Sequence, residues 1–132
     1  MGMYTELYLS VEFKKDIPAD VVLILKHLFG DEEVTLPALP DHEFFQCDRW
    51  SMIGRCSSFY FVPFATSKLH RDDLNSQYYL TTRSDLKNYG GEIKKFLDWI
   101  MPYLDQMDGD HLGHYRYEED DAPTLIFYPK VV

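Results

Sequence analysis

Leu7, Leu9, Val11 and Phe13 alternate with Glu6, Tyr8, Ser10 and Glu12. This period of two predicts a strand with one buried face. The spacing then changes. Val21, Leu25 and Leu28, widened by Val22, Ile24 and Phe29, form a helical stripe, with Asp16 as its expected cap, Pro18 in its first turn and Gly30 as a left-handed stop. Residues 31–47, with Pro37 and Pro40, read as an irregular connection that is long enough to serve a functional purpose. A β-rich middle follows: a weak strand at 50–53, a turn at Gly54-Arg55, and a central strand at 57–64 that is apolar on both faces up to Pro63. Residues 65–75 read as polar loop and 78–83 as another strand.

Gly90-Gly91 opens the second helix, where Ile93, Phe96, Leu97, Ile100, Met101 and Leu104 recur at the three-four spacing of a buried face. Pro102 is expected to loosen its last turn by removing a hydrogen bond. An acidic turn at 105–110 leads into strands at 112–117 and 124–128, joined through 118–123. The order predicts an α+β fold: one mostly antiparallel sheet of five or six strands with two helices packed on one face. Residues 1–132 read as one domain without repeats, and 132 residues is close to the commonest domain size.

Composition narrows the class. Aromatic residues make up 16% of the chain, enough to build a core and far from the signature of disorder. The net charge of −9 disfavours direct nucleic-acid binding and anionic membranes. Apolar runs fall short of a membrane span, no secretory leader is evident, and Gly2 is followed by Glu6 where myristoylation needs Ser or Thr. Cys47 and Cys56 read as free thiols in a reducing compartment, so a cytoplasmic location is expected.

The sharpest charge feature lies near the C-terminus. Asp105, Asp108, Asp110, Glu118, Glu119, Asp120 and Asp121 stand against only Arg116 and Lys130 over residues 100–132. Their spacing is not that of a calcium loop. They read either as solvated turns or as an acidic face for a basic partner. His111 and His114 lie close by, but on an unbroken strand they point to opposite faces, so no metal site is assigned. No phosphate loop and no nucleophile elbow is present, and neither cysteine is selected by an arrangement of base and acid. No cofactor is expected.

Phe44, Phe45 and Trp50, with Trp99 and Tyr103 on the second helix, either widen the core or mark a binding hot spot.

Two stretches carry a resemblance. Leu86-Lys87-Asn88-Tyr89-Gly90-Gly91-Glu92-Ile93 runs into Phe96-Leu97-Asp98-Trp99-Ile100, and Arg116-Tyr117-Glu118-Glu119-Asp120-Asp121 is followed by Pro123-Thr124-Leu125-Ile126. Together they resemble a family of small uncharacterised proteins of bacteria and their phages or mobile elements. The family has no assigned activity, so the resemblance implies a bacterial cytoplasmic setting and transfers no site residue.

The expectation is a non-enzymatic acidic protein-binding module of adaptor, immunity or phage-inhibitor type. Its surface would comprise the seven acids with Phe44, Phe45 and Trp50. The alternative is a small enzyme or small-molecule binder with its site in the 31–50 segment, where His42, Glu43, Cys47, Asp48 and Arg49 supply chemistry. A homo-oligomer through an exposed strand edge or apolar patch is a third reading.

Overall fold

The computed structural model describes residues 3–129; Gly2 and Lys130, named above, lie outside them. Five strands form one antiparallel sheet: β1 (Thr5–Glu12), β2 (Thr66–Asp72), β3 (Gln77–Leu86), β4 (His111–Tyr117) and β5 (Thr124–Phe127). Their order across the sheet is β2-β3-β1-β4-β5. The two helices are α1 (Ala19–Phe29) and α2 (Glu92–Ile100). The alternation in β1 works as expected: Leu7, Leu9, Val11 and Phe13 are buried, and both helices pack over that face in one core. Phe29 of α1 and Phe96 of α2 meet edge to face, 5.6 Å between ring centres.

The periodic residues of α2 are all buried, through Leu104. At Pro102 the α-helix gives way to a 3₁₀ turn, Met101–Tyr103, because proline has no N–H for the ladder. The start of α2 is held by Asn88 Oδ1, which accepts from Ile93 N, and by Glu92 Oε1, which accepts from Gly90 N.

Several expectations are corrected. Asp16 does not cap α1; Pro18 occupies the cap position and no side chain caps that end. Gly30 follows α1 in extended rather than left-handed backbone, with its N–H on Lys26 O. The expected strand at 50–53 is a 3₁₀ turn, Trp50–Met52. Gly54 therefore joins no hairpin. Its backbone lies against Phe29, and Ser84 Oγ and Ser67 Oγ donate to Ile53 O and Gly54 O.

The largest exchange of roles is in the middle of the chain. Residues 57–64 form no strand, while 66–72, read as polar loop, are the edge strand β2. β2 exposes much of both faces and offers only Leu69 as an apolar anchor, so no hydrophobic alternation marks it.

β4 carries a register shift between His111 and Gly113. His111 pairs with Phe127 and His114 with Leu125, two residues apart on β5, so both histidines lie on the outer, helix-free face. The expectation of opposite faces fails because the extra residue inverts the alternation.

At the shift, Gly113 lies so close to β1 that a Cβ would sit 1.9 Å from Tyr8 O. Gly113→Ala is expected to cost on the order of 3 kcal/mol, since backbone rather than a flexible side chain must move. Gly109→Ala, left-handed at φ 91° with open space around it, is expected to cost about 1 kcal/mol. Urea unfolding midpoints of the two variants check the order.

Candidate functional site

The outer face of the sheet has no helix to cover it. Part of it is covered by residues 57–64, which cross it as an arch. The arch is held by Arg83, whose side chain projects from β3 on this face and is only 8% exposed. Its Nη1 donates to Val62 O at 3.0 Å and Phe64 O at 2.8 Å. Its Nη2 donates to Glu6 Oε2 at 2.9 Å and Asp85 Oδ1 at 2.6 Å. Nε is buried with no hydrogen-bond partner among the described residues. Asp85, fully buried, accepts from Ser58 N and donates its own N–H to Cys56 O. Tyr60 Oη donates to Glu118 O, and the Arg116 guanidinium lies 5.1 Å from the Phe61 ring centre. The Val62 and Phe64 carbonyls thus accept from the Arg83 side chain rather than from a neighbouring strand, and the Ser58 carbonyl accepts from Phe61 N within the arch.

With its backbone pinned to the sheet, the arch turns large apolar side chains outward. Phe59 is 94% exposed, Phe64 60% and Tyr60 58%, with Val62 beside them. Between Val62 and Phe64, Tyr8 and Ser10 of β1, Thr81 of β3 and His111 lies a concavity of about 630 Å³ with mostly apolar walls. That volume suits a ligand or an anchoring side chain. Among the described residues no carboxylate and no thiol lines it, His111 and Tyr8 are its titratable side chains besides Arg83, and Arg83 is engaged below.

The expected site residues fall into separate places. Asp105, Asp108 and Asp110 lie before β4, while Glu118, Glu119, Asp120 and Asp121 lie after it. A strand of that length separates the groups by roughly 20 Å. Asp110 accepts from Met107 N and Gln106 Nε2, which lowers its carboxyl pKa. Glu118 Oε1 accepts from Tyr4 N, and Asp120 Oδ2 from Tyr117 N. Gln77 donates to Asp105. Among the described residues none of the seven is in an ion pair.

Phe44 is fully buried, touching Phe96 and Trp99, so it offers no surface to a partner. Phe45 and Trp50 pack half-buried against the same core. The hot-spot reading missed Phe59, Tyr60 and Phe64 because their segment reads as a buried strand.

The 31–50 residues are not gathered either. Of His42, Glu43, Cys47, Asp48 and Arg49, only Arg49 lines any of five of the best-formed concavities. His42 Nδ1 accepts from Phe44 N and its Nε2 bonds Asp98, so both ring nitrogens are occupied. Burial raises the Cys47 thiol pKa, opposite to what a nucleophile needs. Among the described residues no group of three or more His, Cys, Asp or Glu is placed to hold a metal ion, and no helix is long and apolar enough to cross a membrane.

Two predictions follow from the clamp. Arg83→Met leaves the buried Asp85 and the half-buried Glu6 without their cation and is expected to cost about 3–5 kcal/mol. Limited proteolysis should then cut within 57–64 before the rest of the chain unfolds. Burial also raises the Asp85 carboxyl pKa, against the opposing pull of Ser58 N–H and Arg83. The native chain therefore binds that proton more tightly than the unfolded chain does. The contribution is full in acid and is lost as pH rises through the native value. Asp85→Asn should remove this loss. Urea unfolding from pH 3 to 7 is expected to show wild type declining relative to the variant as pH rises, and a constant difference would refute the assignment.

No known protein family model, no curated protein and no solved structure matches this chain.

Proposed function

We propose that this chain is a non-catalytic protein-binding module whose contact surface is the aromatic arch and the groove beside it. The observation that carries the reading is the exposure of Phe59, Tyr60, Val62 and Phe64 on a segment whose backbone is clamped to the sheet. Single exposed apolar residues are ordinary, but neighbouring aromatics beside an apolar concavity are what a binding surface presents. A clamped loop also loses little conformational entropy when a partner docks.

Charge selects the partner. Tyr60 touches Glu118, so the arch borders the turn that carries the exposed Glu119, Asp120 and Asp121. The favoured partner is a basic protein segment that places an apolar side chain in the groove and Lys or Arg against this turn. Phe44 is excluded from the surface by burial, and Phe45 and Trp50 support the core behind it. The resemblance to small bacterial and phage proteins favours an adaptor, immunity or inhibitory role in a cytoplasmic setting.

A second reading has the arch joining two copies of this chain. Light scattering separates the two: a concentration-dependent dimer that Phe59→Ser/Phe64→Ser abolishes would favour self-association. For the first reading, a randomised peptide library is panned on the immobilised monomer. Enriched sequences should pair Lys or Arg with a large apolar residue, and the double serine variant, with an unchanged melting temperature, should lose them at least tenfold. Enrichment that survives the double variant would overturn the assignment of this surface.

A further inference from the structure

A second concavity, of about 400 Å³, lies on the other side of the sheet's centre, between α1 and the β2–β3 hairpin. Its lining contains Lys15, Lys26 and Arg71 around Tyr78, and no acidic side chain. This is unusual in a chain with 22 acids and 13 Lys and Arg. Lys26 Nζ lies 6.0 Å from the Tyr78 ring centre and Arg71 Cζ 5.0 Å from the same centre. Two cations are thus held at one ring, with a third lining the same space. Neither Lys15 nor Lys26 has an ion-pair partner among the described residues, and Arg71 has only the exposed Asp73 at 3.5 Å, a weak contact. Like charges brought together repel, and an anion between them relieves that repulsion.

The walls set the rest of the ligand. Ile17, Val22 and Leu23 line the same concavity and give it apolar wall beside the cations. We propose that this concavity binds a small organic anion, with its phosphate or carboxylate held by Lys15, Lys26 and Arg71 and its apolar body against Val22 and Leu23. The site is separate from the arch and does not depend on the function proposed for it.

The test is an amide NMR titration of the full chain with phenyl phosphate, inorganic phosphate and benzoate at matched ionic strength. Phenyl phosphate or benzoate should give saturating shifts concentrated in 19–26 and 71–78, and should bind more tightly than inorganic phosphate; the stronger of the two identifies the anionic group. Lys26→Gln/Arg71→Gln should weaken binding at least tenfold, because charge-assisted hydrogen bonds are lost. Lys15→Gln provides a milder second variant if the double one folds poorly. Lys87→Gln/Lys94→Gln, with the same change in net charge elsewhere, should leave binding unaltered. Shifts that do not saturate, that spread over the surface, or that weaken equally in both double variants would overturn the site.

Discussion

A guanidinium buried on a sheet must find acceptors for its fixed fan of donors, and here that demand organises one whole side of the molecule. Arg83 takes carboxylates from Glu6 and Asp85 and carbonyls from Val62 and Phe64. The carboxylates come from the adjacent strand and from the next position on the same face. The carbonyls must come from outside the sheet, and this draws residues 57–64 across it. Because side chains satisfy these carbonyls, the segment can cross the sheet without being a strand, and its apolar side chains are left facing water.

That arrangement also explains which parts of the fold were legible in the sequence. β1 and α2 follow directly from period because each buries one face against one partner, and β4 and β5 follow from their turn signals. Residues 57–64 mislead because their apolar side chains are exposed rather than buried, and β2 is hidden because an edge strand with one modest anchor has no pattern to display. Local sequence cannot distinguish an apolar residue that will be buried from one held out in solvent. A signal for the clamp was present: Arg83 and Asp85, two apart on a strand, must share a face, and Glu6 alternates onto the same face of its own strand.

The candidate site was less legible, for a related reason. The seven acids are close in sequence, but β4 runs between the two groups and places them at opposite ends of itself. Proximity along a chain becomes proximity in space on a helix or turn, whereas a strand separates. Only the second group adjoins the aromatic arch. Phe44 likewise attracts attention as an aromatic in an irregular segment, yet that segment folds inward, because His42 caps its turn and sends the ring against Phe96 and Trp99.

Net charge says little about where on the molecule each sign resides. β2 and β5 are the opposite edges of the sheet, so the Lys15, Lys26 and Arg71 concavity beside β2 stands away from Glu118, Glu119, Asp120 and Asp121 at the β4–β5 turn. A basic partner approaching the whole molecule is attracted by the overall negative field but repelled locally at the β2 edge. The proposed partner is therefore turned away from the basic concavity and toward the β4–β5 turn, which the middle of the arch adjoins through Tyr60. Under the two proposals, any coupling between the surfaces has to pass through the central strands β3 and β1, where Arg83 and Glu6 join the arch to the sheet.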